Sequence, residues 1–250
     1  MTNTKAKIKL TVAISLYNYA DFINKCIISI CRQTIASSLE LIVVNDCSTD
    51  NSVDTVNRLQ KESKKAINKL AGFKFISHVA NLGLAEARNT AFKLASAPYI
   101  LVLDADNILL SQACEILLAE LQAAPESVGA VYPLMAVYGH PSQYIANELP
   151  WDPLRLAKSN FIDAMALVRK TAWLTVGGYS HINGGWEDYD FWCKFLENNL
   201  SAVQVPKILA VYQNHTDSMK NSCTINKEAE LSKVLKTKHP WLKLNSQDKF

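Results

Sequence analysis

Two aspartates one residue apart close an apolar run at residues 99–106, Tyr-Ile-Leu-Val-Leu-Asp-Ala-Asp. The run has strand character, so Asp104 and Asp106 arrive together at the rim of a sheet. In open α/β sheets, ligands bind outside the carboxyl ends of the strands. Paired carboxylates there supply hard oxygen ligands that suit magnesium or manganese, and such ions commonly hold phosphates. The spacing predicts an enzyme that handles a diphosphate.

Four other places could share that chemistry. Asp46 follows an apolar stretch at 39–44 and would stand at the same rim. Alone it reads as a turn residue; beside Asp104 it becomes an acceptor for a base N–H or a ribose hydroxyl. Arg88, one turn into a helix that starts after Asn81-Leu-Gly83, has the forked donors that suit a phosphate or nucleotide carbonyl. The alternative is a surface arginine. Gly184-Gly185-Trp186-Glu187-Asp188-Tyr189-Asp190 sets three acids beside an aromatic ring in a glycine-rich approach. Acids in a first helical turn also offset the helix dipole, which explains one or two of them but not Trp186. A ring there can pack on the C–H face of a sugar, and a carboxylate can take a proton from an attacking hydroxyl. His215, in Tyr212-Gln-Asn-His215, is a third candidate metal ligand. His78, His140, His181 and His239 read as structural or surface residues.

The elements that must position these groups alternate regularly. Strand patterns at 10–16, 39–44, 73–77, 99–103 and 128–132 are interleaved with helical patterns at 21–34, from about 50 to 70, 84–96 and 111–123. Ser48 or Asp50 could cap the second helix. This β-α-β-α order predicts a parallel sheet covered on both faces. Neither Gly-x-Gly-x-x-Gly nor Gly-x-x-x-x-Gly-Lys occurs, so phosphate must be held otherwise. Residues 133–160 hold four prolines and read as loops with short elements. Order returns at 161–174, an amphipathic helix follows at 186–196, and 201–212 reads as one or two strands. Lysines crowd 227–250, which predicts a solvated helix and a frayed end.

The 250 residues suffice for one large or two small domains, and 49% hydrophobic with 20% charged residues is ordinary for a globular chain. A net charge of +3 does not argue for nucleic acid. The six cysteines form no Cys-x-x-Cys pair and no Cys/His cluster with zinc spacing, so reduced, mostly buried thiols are expected. With no secretory leader and no apolar run near 20 residues, the expectation is a cytoplasmic protein, at most peripheral at the inner face of a membrane.

In order along the chain, these residues resemble the family 2 glycosyltransferases of the GT-A fold, over residues 8–220. Ile14-Ser15-Leu16-Tyr17-Asn18 is similar to the family's first strand and turn, which places Ser15 and Tyr17 at the nucleotide base. Val44-Asn45-Asp46-Cys47-Ser48-Thr49-Asp50 resembles the acid-rich turn that contacts uracil or ribose through Asp46. Asn81–Asn89 resembles Asn-x-Gly-x-x-x-Ala-Arg-Asn, bordering the nucleotide at Arg88. Asp104-Ala-Asp106 resembles the Asp-x-Asp element. Gly185-Trp186-Glu187-Asp188 resembles the acceptor side, with Asp188 on the catalytic base and Glu187 in reserve. His215 matches a histidine after the last strand, while Gln213 stands where arginine is common.

The resemblance implies a Rossmann-like, mostly parallel sheet with helices on both faces and a smaller acceptor-side region. Residues 1–132 would hold the nucleotide, 133–220 the acceptor and base, and 221–250 would form a basic tail. It implies inverting transfer from a nucleotide sugar, with UDP the expected nucleotide, to a saccharide or lipid-linked hydroxyl acceptor. The cofactor would be a divalent manganese or magnesium ion held by Asp106, Asp104 and His215, and Trp186 with Gly185 would border the sugar. Two rivals remain. A nucleotidyltransferase would want a glycine-rich basic loop after the first strand, where residues 15–25 offer only Lys25. A non-catalytic sugar-binding module would not need Asp106 and Asp188 together.

Overall fold

The structure is a computed structural model that describes residues 7–140, 143–215 and 227–244. The amino-terminal part runs β1 (Leu10–Leu16), α1 (Ile23–Cys31), β2 (Leu39–Asn45), α2 (Ser52–Glu62), α3 (Lys64–Ile67), β3 (Gly72–Ser77), α4 (Leu84–Leu94) and β4 (Tyr99–Asp104). There follow β5 (Ile108–Leu109), α5 (Ala113–Ala123), β6 (Val128–Tyr138), β7 (Ile145–Ala146), α6 (Pro153–Leu156), β8 (Leu167–Arg169) and α7 (Lys170–Thr175). The chain continues through α8 (Glu187–Glu197), β9 (Ser201–Gln213) and α9 (Glu228–Lys238).

One nine-stranded sheet has the order β3-β2-β1-β4-β8-β6-β9-β5, with β7 paired to β6. β3, β2, β1, β4, β6 and β9 run in one direction, and only the short β5, β7 and β8 oppose them. β1 and β2 are β-branched and apolar along nearly their whole length and are buried on both faces, as strands of a covered parallel sheet must be. α1, α2, α3 and α5 pack on one face, with Ile23, Cys26, Ile27 and Ile30 at helical spacing. α4, α7, α8 and α9 cover the other around Phe92, Trp173, Trp192 and Phe195. Register pairs Leu16 with Asn45 and Ser15 with Asp104, so β1, β2 and β4 end side by side at one rim. The five cysteines described there, Cys26, Cys31, Cys47, Cys114 and Cys193, are unpaired.

The elements depart from the sequence reading at four points. The helix expected to reach residue 70 breaks at Ser63, where φ −106° and ψ 26° end α2 before α3 begins. β6 does not stop before Pro133 but runs to Tyr138, because a register shift at Pro133/Leu134 absorbs the missing donor. The antiparallel β8 inserts between β4 and β6. The lysine-rich α9 is not simply solvated: Leu231 and Leu235, one turn apart, are fully buried, and Leu242 and Leu244 follow them into the core.

A charge cluster fixes α9 against α8. Asp190 is fully buried and meets Lys194 at 2.7 Å, Lys238 at 3.0 Å and Nε2 of His239 at 3.2 Å. Nδ1 of His239 lies 2.7 Å from Glu197, which also accepts from the Trp241 indole at 2.7 Å. Burial alone would raise the Asp190 pKa, but His239 and the lysines outweigh it and hold it well below the usual range. Burial likewise disfavours His239 as a cation, but Asp190 and Glu197 raise its pKa above the ordinary value. A raised imidazole pKa stabilises the fold fully below the unfolded value of about 6.5 and loses that stabilisation as pH climbs through the folded value. Wild type should therefore melt higher than His239→Asn at about pH 6, with the gap narrowing toward about pH 8.5. A gap that does not change across that interval would show that the imidazolium contributes nothing.

Candidate active site

The rim begins with two loops latched together. Asn18, in left-handed conformation at φ 59°, accepts through Oδ1 from the amides of Thr49 at 2.8 Å and Asp50 at 3.3 Å. The Asn18 amide donates to Ser48 Oγ at 3.1 Å, and that of Ala20 to Asp50 Oδ2 at 3.0 Å. Ser48 thus ties the loops rather than capping α2, while Asp50 Oδ1 accepts from the Ser52 amide at 2.9 Å. Ser15 is half-buried and Tyr17 is 43% exposed, both facing one cleft of about 1160 Å³.

Asp46 borders the same cleft and is fixed in place. Its Oδ1 accepts from the Leu82 amide at 2.9 Å and its Oδ2 from that of Gly83 at 2.8 Å. Nδ1 of His78 lies 2.7 Å from Oδ1, and Nε2 of that ring 3.0 Å from Thr90 Oγ1. His78, read from the sequence as structural or surface, directly follows β3 and here holds Asp46 in place. Gly83, at φ 90°, has no room for a side chain, since a Cβ would stand 2.7 Å from the His181 ring.

Asp104 and Asp106 reach the cleft from the end of β4. Asp106 is buried; its Oδ2 lies 3.1 Å from Nε2 of His215, whose ring stacks on Phe22 at 4.8 Å. Burial, and then the neighbouring Asp104, push the Asp106 carboxyl up to about 6. Gln213, the departure from arginine, donates to the Asp106 carbonyl at 2.6 Å. The expected three-ligand metal cluster is not assembled: among the described residues no group of three His, Cys, Asp or Glu side chains is placed to hold an ion. Asp104 Oδ1 instead meets Arg88, at 3.0 Å. The pair Asp106–His215 nevertheless fits a hard divalent cation. Asp106 Oδ1 is buried with no hydrogen-bond partner among the described residues, an uncompensated acceptor of the kind a cation satisfies.

Arg88 is neither a surface residue nor free to meet a ligand with its whole fork. It is 2% exposed, donates to Glu187 Oε1 at 2.6 Å and to Asp104 Oδ1 at 3.0 Å, and lies 5.4 Å over the Tyr179 ring. Burial opposes its charge, but Asp104 and Glu187 more than reverse this and raise its pKa.

The far wall is the amino-terminal end of α8. Gly184, Gly185 and Trp186 are successive left-handed residues at φ 105°, 118° and 62°, a costly run for a tryptophan. Trp186 lines the cleft and packs edge-on to Tyr189 at 5.8 Å; Gly185 is buried behind it and serves the turn. Asp188 also lines the cleft, with Oδ1 accepting from the Tyr189 amide at 2.7 Å and Oδ2 from Asn160 at 3.1 Å. Burial first, then Glu187, push its carboxyl up to about 7, against the lowering effect of Arg88. Asp190, read together with these acids, is not in the cleft but in the cluster that holds α9. Asn160 and Asp163, both lining the cleft, were missed because they sit in an irregular stretch with no periodicity.

The described architecture is the GT-A fold. The family model for glycosyl transferase family 2 matches residues 11–178, and the chain belongs to that family. Asp188 and His215 lie beyond the matched span. Among curated relatives, chondroitin synthase of Pasteurella multocida is 27% identical over 191 residues, 75% of this chain but 19% of the relative. The poly(ribitol-phosphate) beta-glucosyltransferase of Bacillus spizizenii is 35% identical over 107 residues, 42% of this chain and 16% of the relative. The chain therefore spans about a fifth or less of these proteins. Among solved structures, S. aureus TarS 1-349 in complex with UDP-GlcNAc superposes with TM-score 0.70 at 18% identity, covering 86% of this chain and 61% of that one. The mannosyltransferase PcManGT of Pyrobaculum calidifontis, in complex with GDP-Man and Mn2+, gives 0.66 at 19% identity, covering 91% and 65%.

Arg88→Gln should leave Asp104 and Glu187 uncompensated and cost about 3–5 kcal/mol in urea unfolding, as expected when one partner of a buried ion pair is removed. In the surviving folded protein the Asp188 midpoint should move to higher pH, because a lowering charge is gone. A midpoint that stays put would show that Arg88 does not act on Asp188.

Proposed function

We propose that this chain transfers a sugar from a nucleotide sugar, UDP-linked, to a hydroxyl of a saccharide or lipid-linked acceptor, with inversion and with a divalent cation bound at Asp106. The observation that carries the reading is that Asp106, just after β4, and Asp188, at the start of α8, line one cleft. The base and ribose would lie against Ser15, Tyr17 and Asp46, within the 1–132 half. The 133–220 half would present the acceptor over Trp186.

In this reading Asp188 takes the proton of the attacking hydroxyl. The new bond forms from that oxygen to the anomeric carbon while the bond to the diphosphate breaks, and the nucleoside diphosphate leaves with the electron pair. Asn160 and the Tyr189 amide hold Asp188 in one orientation. Glu187, with Oε1 engaged by Arg88, keeps a supporting role. Asp106 and His215 would hold manganese or magnesium, which would supply positive charge to the departing diphosphate. Relatives named as a chondroitin synthase and a poly(ribitol-phosphate) beta-glucosyltransferase support a polymeric acceptor. Among the described residues no helix is long and apolar enough to cross a membrane.

Asp188→Asn should lower kcat by about 10²–10⁴-fold, the usual contribution of a positioned base, while UDP affinity stays close to wild type. Near-wild-type turnover in that variant would remove Asp188 as the base. Wild-type kcat/KM should rise with pH and level off above about 7, because the carboxyl must be ionised to accept a proton. In Asp106→Ala, calorimetry with UDP should show the same weak affinity with and without manganese; an intact manganese-dependent gain would refute its assignment. Release of sugar and UDP from a nucleotide sugar, read by chromatography, separates transfer from nucleotidyl transfer and from mere binding.

A further inference from the structure

We propose that Asp163 is a specificity-determining residue of this cleft, accepting hydrogen bonds from hydroxyl groups of the transferred sugar. The assignment rests on the nucleotide-sugar reading above and adds the sugar's own contact. Asp163 lines the cleft but belongs to neither the Asp104/Asp106 rim nor the start of α8. Its charge is felt at both: burial first, then Asp104 and Asp106, disfavour its ionisation, and it in turn disfavours that of Asp188. It therefore shares one cleft, within electrostatic reach, with the groups assigned to the diphosphate and the group assigned to the acceptor, the space the sugar ring would enter.

The residue is held as a rigid contact should be. Its Oδ1 accepts from the Met165 amide at 2.8 Å, and its own amide donates to Asn147 Oδ1 at 2.8 Å. Asn147 is itself buried and left-handed at φ 60°; its Nδ2 donates to the Pro133 carbonyl at 3.2 Å, and its carbonyl accepts from Gln204 at 2.6 Å. β6 and β9 thus fix the shelf beneath Asp163. Its Oδ2 has no hydrogen-bond partner among the described residues, leaving an unused acceptor on a residue that lines the cleft. Diphosphate oxygens would be repelled there; sugar hydroxyls are donors and fit.

Asp163→Asn keeps the Oδ1 bond to Met165 and replaces the free acceptor by an NH2 donor, so it should fold and melt like wild type. The test compares Kd for UDP alone with Kd and kcat/KM for a panel of UDP- and GDP-linked hexoses and N-acetylhexosamines, all with manganese. The proposal expects unchanged UDP affinity, a roughly 10- to 100-fold loss for the preferred sugar conjugate, and weaker discrimination across the panel. Unchanged sugar affinity and selectivity in the variant would overturn it. So would an equal loss for UDP and the conjugates together with loss of manganese dependence, which would make Asp163 a metal ligand. Wild type that binds neither UDP nor any conjugate would sink the broader reading, and this one with it.

Discussion

One buried guanidinium joins the two walls of the cleft. Arg88 on α4 takes Asp104 from the end of β4 and Glu187 from the start of α8. Taking such a cation out of water costs several kcal/mol, and only well-placed carboxylates repay it. The repayment is geometric as well as energetic. A slip of α8 by one residue would turn Glu187 about 100° away and leave Arg88 with Asp104 alone. The contact therefore selects one register for the helix that carries Asp188, and the left-handed turn at Gly184, Gly185 and Trp186 is the backbone conformation that delivers it. Asn89, one residue on from Arg88, fastens the same region by bonding both the amide and the carbonyl of Tyr179.

What could be read from the sequence follows from which interactions are local. Strands that end on acids announce themselves, because period and termination lie within a few residues; Asp46, Asp104 and Asp106 were found that way. The amino-terminal β-α alternation was legible for the same reason, with helix ends off by a few residues. The antiparallel β8 was not, since three residues of strand carry no periodic signal and their partners lie far off in the chain. Asn160 and Asp163 lie in the irregular stretch just before that strand and were hidden with it. Arg88 was found but its burial was not, because nothing near it in sequence supplies Glu187. Asp188 and Asp190 illustrate the limit within a single turn. Two positions apart, they point about 200° apart around the helix, one to the cleft and one to α9. Composition alone makes them alike. The lysines of α9 likewise masked a two-leucine stripe that needed the opposite face of α8 to be recognised.

The charge balance of the cleft leads to its chemistry. Asp104, Asp106, Asp163, Glu187 and Asp188 crowd one space, and among the described lining residues Arg88 is the only buried cation. The surplus is visible in the acids not paired with Arg88: burial and like charge lift Asp106 and Asp163 to about 6 and Asp188 to about 7. A diphosphate entering this field alone would meet repulsion from every side. Accompanied by a divalent cation at Asp106 it would relieve the rim, while Asp188, across the cleft, would keep its elevated affinity for a proton. The same surplus that makes a bare anion unwelcome would thus suit Asp188 to the proposed role of base near neutral pH, so donor binding and proton abstraction would draw on one electrostatic arrangement.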